Sequence, residues 1–168
     1  MVMLTKVARL VHVDFAPRHV QPSWARVALA TVVSLAGSLA ADALAVVVFQ
    51  AVLPSTKGYA HFQFADYSKL TIIGVIIACV AWPVTTRISS QPRWLFLRMA
   101  VAVTLVLFAP DFYILYLGQP GNAVAGLLVM HVAIALVTYN ALVRLAPVRP
   151  LADEARTRGR RHEAHRAL

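Results

Sequence analysis

Residues 27–53 read VALATVVSLAGSLAADALAVVVFQAVL, and the only charged side chain in that run is Asp42. A helix needs ~20 mostly apolar residues to cross a bilayer, and this stretch exceeds that. Three further windows, 70–86, 94–117 and 122–143, meet or approach the same length. Lys and Glu are absent from all four, and apolar side chains fall on every helical face. A soluble four-helix bundle would keep a polar stripe on each helix. At 60% hydrophobic residues and a mean hydropathy of +0.69, the chain is more apolar than a soluble domain. The four windows use most of the 168 residues and leave room for one bundle and no separate soluble domain. The expected fold is all-α: a polytopic membrane protein of four transmembrane helices in an up-down-up-down bundle.

The flanking charges predict an orientation. Lys6, Arg9, Arg18 and Arg26 precede the first window; Arg87, Arg93 and Arg98 surround the turn between the second and third. Arg144, Arg149, Arg156, Arg158, Arg160, Arg161 and Arg166 follow the fourth. Of the 16 basic residues only Lys57 and Lys69 fall on the other side. The positive-inside rule then places both termini and the second turn in the cytoplasm, N-in and C-in, in the plasma (inner) membrane. Trp24, Trp82 and Trp94 are expected at the inner boundary, and Tyr59, Tyr67, Tyr113 and Tyr116 at the outer one, as aromatic belts require.

Three segments follow. Residues 1–22 form a cytoplasmic N-terminal piece in which Met3, Leu4, Val7, Leu10, Val11 and Phe15 recur at amphipathic-helix spacing. Residues 23–147 form the transmembrane domain, and 148–168 a basic cytoplasmic tail suited to anionic lipid. The first helix is long enough to require tilt or an end near Phe49. Pro83 and Pro110 each lack an amide hydrogen inside a predicted helix and invite kinks. The loop 54–69 is the only substantial exterior segment. Small-residue spacings, Ser34/Ser38, Gly37/Ala41 and Gly74/Ala78, permit close helix approach.

Chemistry-bearing residues inside the spans are few. Asp42 lies mid-helix, where a bare charge costs ~2.5–3.5 kcal/mol on insertion scales. Thr31 and Ser38 share its face. His131 is the only histidine within a span, on a face shared with Thr138. Counted from the exterior ends at 1.5 Å rise, Asp42 and His131 sit ~14–17 Å deep, which predicts a carboxylate–imidazole pair across neighbouring helices. Such a pair serves either as a protonatable site or as a buried bond setting helix register. Lys69 and Asp111 are expected to meet as an outer-surface ion pair. Arg26, Arg87, Arg93, Arg98 and Arg144 are expected at lipid headgroups.

Several functions lack their signatures. There is no HExxH, GxSxG or phosphate-binding glycine loop. One cysteine, Cys79, excludes intrachain disulfides and CxxC redox chemistry and is expected as a small packing residue. One intramembrane histidine cannot ligate haem from both sides. No catalytic residue, metal ligand set or cofactor is assigned. The net charge of +9 lies beside the spans without an aromatic platform, so anionic lipid, not nucleic acid, is its expected partner.

Four short helices with an acidic residue in the first resemble the small multidrug resistance transporters. The match is Asp42, where that family carries Glu; its dual-topology members lack the strong charge bias seen here. The segments AWPVTTR (81–87), QPRWLF (91–96) and LVMHVAIALV (128–137) resemble uncharacterised four-helix membrane proteins of actinobacteria over residues 24–145. That likeness implies a fold and no activity. The leading expectation is a non-enzymatic accessory or scaffold component that packs against other membrane proteins or itself. The alternative is a small oligomeric proton-coupled transporter or pore using Asp42 and His131.

Overall fold

A computed structural model describes Val13, Phe15 and residues 19–151. The amphipathic segment expected before Pro17 and the basic tail after Leu151 lie, for the most part, outside the described residues. Four helices account for most of the described residues: α1 (Trp24–Val52), α2 (Phe64–Ile88), α3 (Pro92–Tyr116) and α4 (Gly121–Leu145). Each is long and apolar enough to cross a membrane. The chain is an all-α protein with four candidate spans.

Local chemistry sets the ends. Ser23 caps α1, its hydroxyl accepting from the Arg26 amide at 3.4 Å. Pro54 stops α1 two residues past Val52, so of the two alternatives expected, tilt or an end near Phe49, the early end does not occur. α2 starts six residues earlier than its apolar window, because Asp66 in its first turn suits the positive helix terminus. Pro92 opens α3 at a position where a missing amide hydrogen is harmless. Pro83 and Pro110 lie inside continuous helices. The Pro83 carbonyl accepts from the Thr86 hydroxyl and the Arg87 guanidinium, both at 2.8 Å.

Burial is reversed relative to a soluble bundle. The inward stripe of α1 is Val27, Ala30, Ser34, Ser38, Asp42 and Val46. Leu44, Val47 and Val48 on the same helix face outward, as do Ile73 and Ile77 of α2 and Leu105 and Val106 of α3. Each such side chain left in water would forgo ~1.5–3 kcal/mol, whereas lipid accommodates it without loss. Small inward residues let backbones approach, which is how helices gain packing energy in a bilayer. A Cβ added at Gly37 would lie 2.9 Å from Val137 Cγ1, and one at Gly126 only 2.5 Å from Phe62 Cζ. The Gly37 face of α1 is thus an intrachain contact with α4.

Contacts run in opposite senses along neighbours. Ser38 meets Thr138 while Phe49 approaches Gly126, so α1 and α4 are antiparallel. Phe96 stacks on Tyr139 while Phe108 meets His131 across α3 and α4. At one end, β1 (His19–Val20) pairs antiparallel with β2 (Arg149–Pro150). His19 Nε2 lies 3.0 Å from the Ser89 carbonyl. Gln21 donates to the Thr86 carbonyl at 3.0 Å and accepts from its hydroxyl at 2.6 Å. The start of α1, the end of α4 and the α2–α3 turn therefore share one end of the bundle.

Two belt expectations are corrected. Trp82 is fully buried, its indole N–H donating to the Ala146 carbonyl at 2.9 Å and its ring meeting Phe96 edge-on. Tyr67 is also buried, against Val46, Phe62 and Met130. Both rings are taken inward because α2 packs against both α1 and α4, turning its aromatic face to the core. Trp24, Tyr113 and Tyr116 are exposed. Cys79 is free and buried, packed with Val75 and Trp82 as a small core residue.

Candidate functional site

In the half of the bundle nearest the loop between α1 and α2, four polar side chains, Asp42, Thr71, Asp111 and His131, interrupt the apolar interior. Asp42 is fully buried, and Thr71 of α2 donates its hydroxyl to Asp42 Oδ2 at 2.6 Å. Asp42 Oδ1 has no hydrogen-bond partner. Asp111 of α3 is also buried, and its Oδ2 lies 3.1 Å from His131 Nδ1. That contact is electrostatic only. The Nδ1–H of His131 donates to the Leu127 carbonyl at 2.9 Å, so Asp111 Oδ2 stays without a hydrogen bond.

The expected Asp42–His131 contact is corrected. The two lie within electrostatic reach of each other, but no hydrogen bond joins them. The side chains diverge: Asp42 turns to α2, and His131 turns to its own helix and α3. The Lys69–Asp111 ion pair is corrected too. Asp111 points inward to His131, and Lys69 is exposed at the start of α2. Of the supporting face, Ser38 and Thr138 meet at 3.2 Å across α1 and α4. Thr31 instead donates to the Val27 carbonyl of its own helix at 2.9 Å.

The loop covers this site. Phe62, only 5% exposed, sits over Gly126 and meets Phe49 and Tyr59 edge-on. Tyr59 Oη is buried without a partner. Its pKa is raised above the usual phenol value of 10.0, chiefly by burial and secondarily by the charge of Asp111. His61 Nδ1 lies 2.6 Å from Asp66 Oδ2 in an exposed pair at the loop surface. Among the described residues no group of three or more His, Cys, Asp or Glu side chains is placed to hold a metal ion.

Thr71 has no assigned role in the sequence reading, and Tyr59 is expected only in the outer aromatic belt. Thr71 carried one usable signal: it lies seven residues into α2, ~10 Å from its loop end at 1.5 Å rise, not far from the depth of Asp42. The burial of the Tyr59 hydroxyl carried no such signal, because it depends on how the loop folds back. Arg26, Arg87, Arg93, Arg98 and Arg144 are all exposed. Arg98 lies over the Trp94 ring at 3.5 Å, and Arg87 is 5.9 Å from that of Trp24.

Comparison with protein-family models, with curated proteins and with solved structures finds no match to this chain.

Proposed function

We propose that this multi-pass membrane protein carries an intramembrane proton-binding site, formed by Asp42, His131 and Asp111, and couples its occupancy to passage through a small oligomeric transporter or pore. The observation that carries the reading is the pair of buried carboxyls, each with an oxygen that accepts no hydrogen bond: Asp42 Oδ1, and Asp111 Oδ2, which lies 3.1 Å from His131 Nδ1. Structural hydrogen bonds in a bilayer core leave few polar atoms unpaired, because each unsatisfied group costs several kcal/mol. Two buried acids, each within electrostatic reach of the same imidazole, His131, form a set that gains from taking up and releasing a proton. Four helices enclose too little space for a path alone, so the working unit is an oligomer.

The chain sits in the plasma membrane with both termini cytoplasmic, as its arginine distribution dictates. Arg26, Arg87, Arg93, Arg98 and Arg144 contact anionic headgroups there. The reading is of a non-enzymatic protein. An accessory or scaffold role ranks second and rests on the outward face of α3, where Val101, Leu105 and Val106 are exposed.

The test is proton flux into liposomes containing the purified protein, followed with an entrapped pH dye under an imposed gradient. Flux above that of empty liposomes, abolished by Asp42→Asn and by Asp111→Asn in folded protein, is the expected result. Wild-type flux in both variants rules the reading out. Heterologous subunits co-purifying with a proton-inert protein would favour the accessory role.

A further inference from the structure

We infer that the Asp42 end of the site takes up a sodium ion in place of its proton, with Asp42, Ser38, Thr71 and Thr138 as the oxygen ligands. The inference rests on the proton-binding reading above and names the ion that competes there. Three helices bring these side chains together. Ser38 and Asp42 stand one turn apart on the inward stripe of α1, a spacing that sets Cβ atoms ~5–6 Å apart. Thr71 of α2 reaches Asp42 Oδ2 at 2.6 Å, and Thr138 of α4 reaches Ser38 Oγ at 3.2 Å. All four residues are buried. Together they offer a carboxylate and three hydroxyl oxygens, and Asp42 Oδ1 accepts no hydrogen bond.

Charge selects a monovalent cation. Residues 27–53, 70–86 and 122–143 contain no Lys or Arg. Among the described residues Asp42 forms no ion pair. From α2 it is faced by Thr71 and Tyr67, and from α4 by His131, whose Nδ1–H is given to Leu127. A buried carboxylate is matched by a proton or by a cation. One carboxylate balances one monovalent ion, whereas a divalent ion would leave a net positive charge in the bilayer core. Carboxylate and hydroxyl oxygens are the donors a hard cation takes, so no histidine, cysteine or second acid is needed.

Spacing selects the size. Oxygens bonded at ~2.3–2.6 Å, as around a sodium- or calcium-sized ion, lie roughly 3.3–3.7 Å apart at adjacent corners of an octahedron. Ser38 and Thr138, at 3.2 Å, need part only slightly to reach that spacing. The neighbouring residues resist anything wider or narrower: a Cβ at Gly37 would lie 2.9 Å from Val137 Cγ1, so α1 and α4 are in close contact beside this hydroxyl pair. Potassium, with longer bonds, would have to force them apart. The exchange balances. Asp42 releases its proton as sodium arrives, the carboxylic acid becomes a carboxylate–sodium pair, and the net charge of the site is unchanged.

The experiment titrates sodium chloride into the full chain purified in detergent, with choline as the inert cation. Calorimetry reads binding, and a pH dye in weak buffer counts released protons. Saturable sodium binding that tightens as pH rises, with a proton released in the acid range, is expected. Potassium should bind at least roughly tenfold more weakly. Asp42→Asn should abolish binding. Ser38→Ala and Thr138→Val, which keep the carboxyl, should each weaken it by roughly tenfold or more, with circular dichroism confirming the helices and the infrared carboxylic-acid band of Asp42 still responding to acid. No saturable sodium binding, potassium bound as tightly, sodium bound without proton release, or wild-type affinity in either hydroxyl variant overturns the inference. In each of those cases an Asp42 band that responds to acid leaves the proton-binding reading in place. A wild-type band that stays silent across the acid range overturns that reading and, with it, this one.

Discussion

Thr71→Val removes the one hydrogen bond that Asp42 receives and little else. The hydroxyl donates at 2.6 Å to Oδ2, and Oδ1 has no partner, so the variant leaves a fully buried carboxyl with neither oxygen bonded. Interhelical hydrogen bonds in membrane proteins average ~0.6 kcal/mol and reach ~1.7. Orphaning a buried acceptor costs ~1–3 kcal/mol. Asp42 loses its last partner, so the expected loss is in the upper part of these ranges, about 1.5–2.5 kcal/mol. That corresponds to roughly ten- to seventyfold in the unfolding equilibrium.

The assay is reversible unfolding in mixed micelles, followed by helical circular dichroism. Thr104→Val is the control, since that hydroxyl only donates to the Ala100 carbonyl of its own helix at 2.8 Å; a change below about 0.5 kcal/mol is expected. Repeating Thr71→Val in an Asp42→Leu background closes a double-mutant cycle. With the carboxyl gone, the hydroxyl has nothing to satisfy and its removal should cost no more than in the control. If Thr71→Val costs the same with and without Asp42, the two side chains are not coupled and the account of the site is wrong.

Other outcomes follow from the same geometry. Gly126→Ala places a Cβ 2.5 Å from Phe62 Cζ, so the variant should lose ~1–3 kcal/mol to overpacking, and Phe62→Leu should recover part of it; additive losses in the thermal melt would contradict this. Trp82→Phe deletes the N–H donated to Ala146 while keeping the ring, for an expected ~1 kcal/mol in the same unfolding assay; an unchanged midpoint would deny that bond a role. Tyr59 should ionise later than a free phenol, because burial and then Asp111 disfavour its phenolate. Its contribution to stability is therefore complete below pH 10.0, the ordinary value, and is lost as pH rises through the raised one. An ultraviolet phenolate titration should lose its most alkaline component in Tyr59→Phe. A tag on the carboxyl end should be reachable only from the cytoplasmic side of intact cells, and labelling from outside would reverse the proposed orientation.

The Asp111 expectation shows why the site was harder to read than the spans. Asp111 follows Pro110 and stands five residues from the end of α3, a depth at which an acid ordinarily reaches the surface. Whether it does depends on the rotation of α3 about its axis. That rotation is set by Phe96 packing on Trp82 and Tyr139 far along the helix. The approximate depth of Asp42 and of His131 is legible in the sequence because depth is a count along one helix. Their partners were misassigned because azimuth depends on every neighbour at once.

Residue order by itself determined the four spans, since hydrocarbon excludes unpaired backbone and selects ~20-residue apolar runs regardless of what they pack against. It also determined that the polar residues inside them would turn away from lipid, because no other disposition is affordable in a bilayer. Only the tertiary structure decided that Thr71 holds Asp42, that His131 meets Asp111 and that Tyr59 and Phe62 close over them. Those contacts join residues on different helices and a loop. Local pattern carries no information about how far one helix is turned relative to the next.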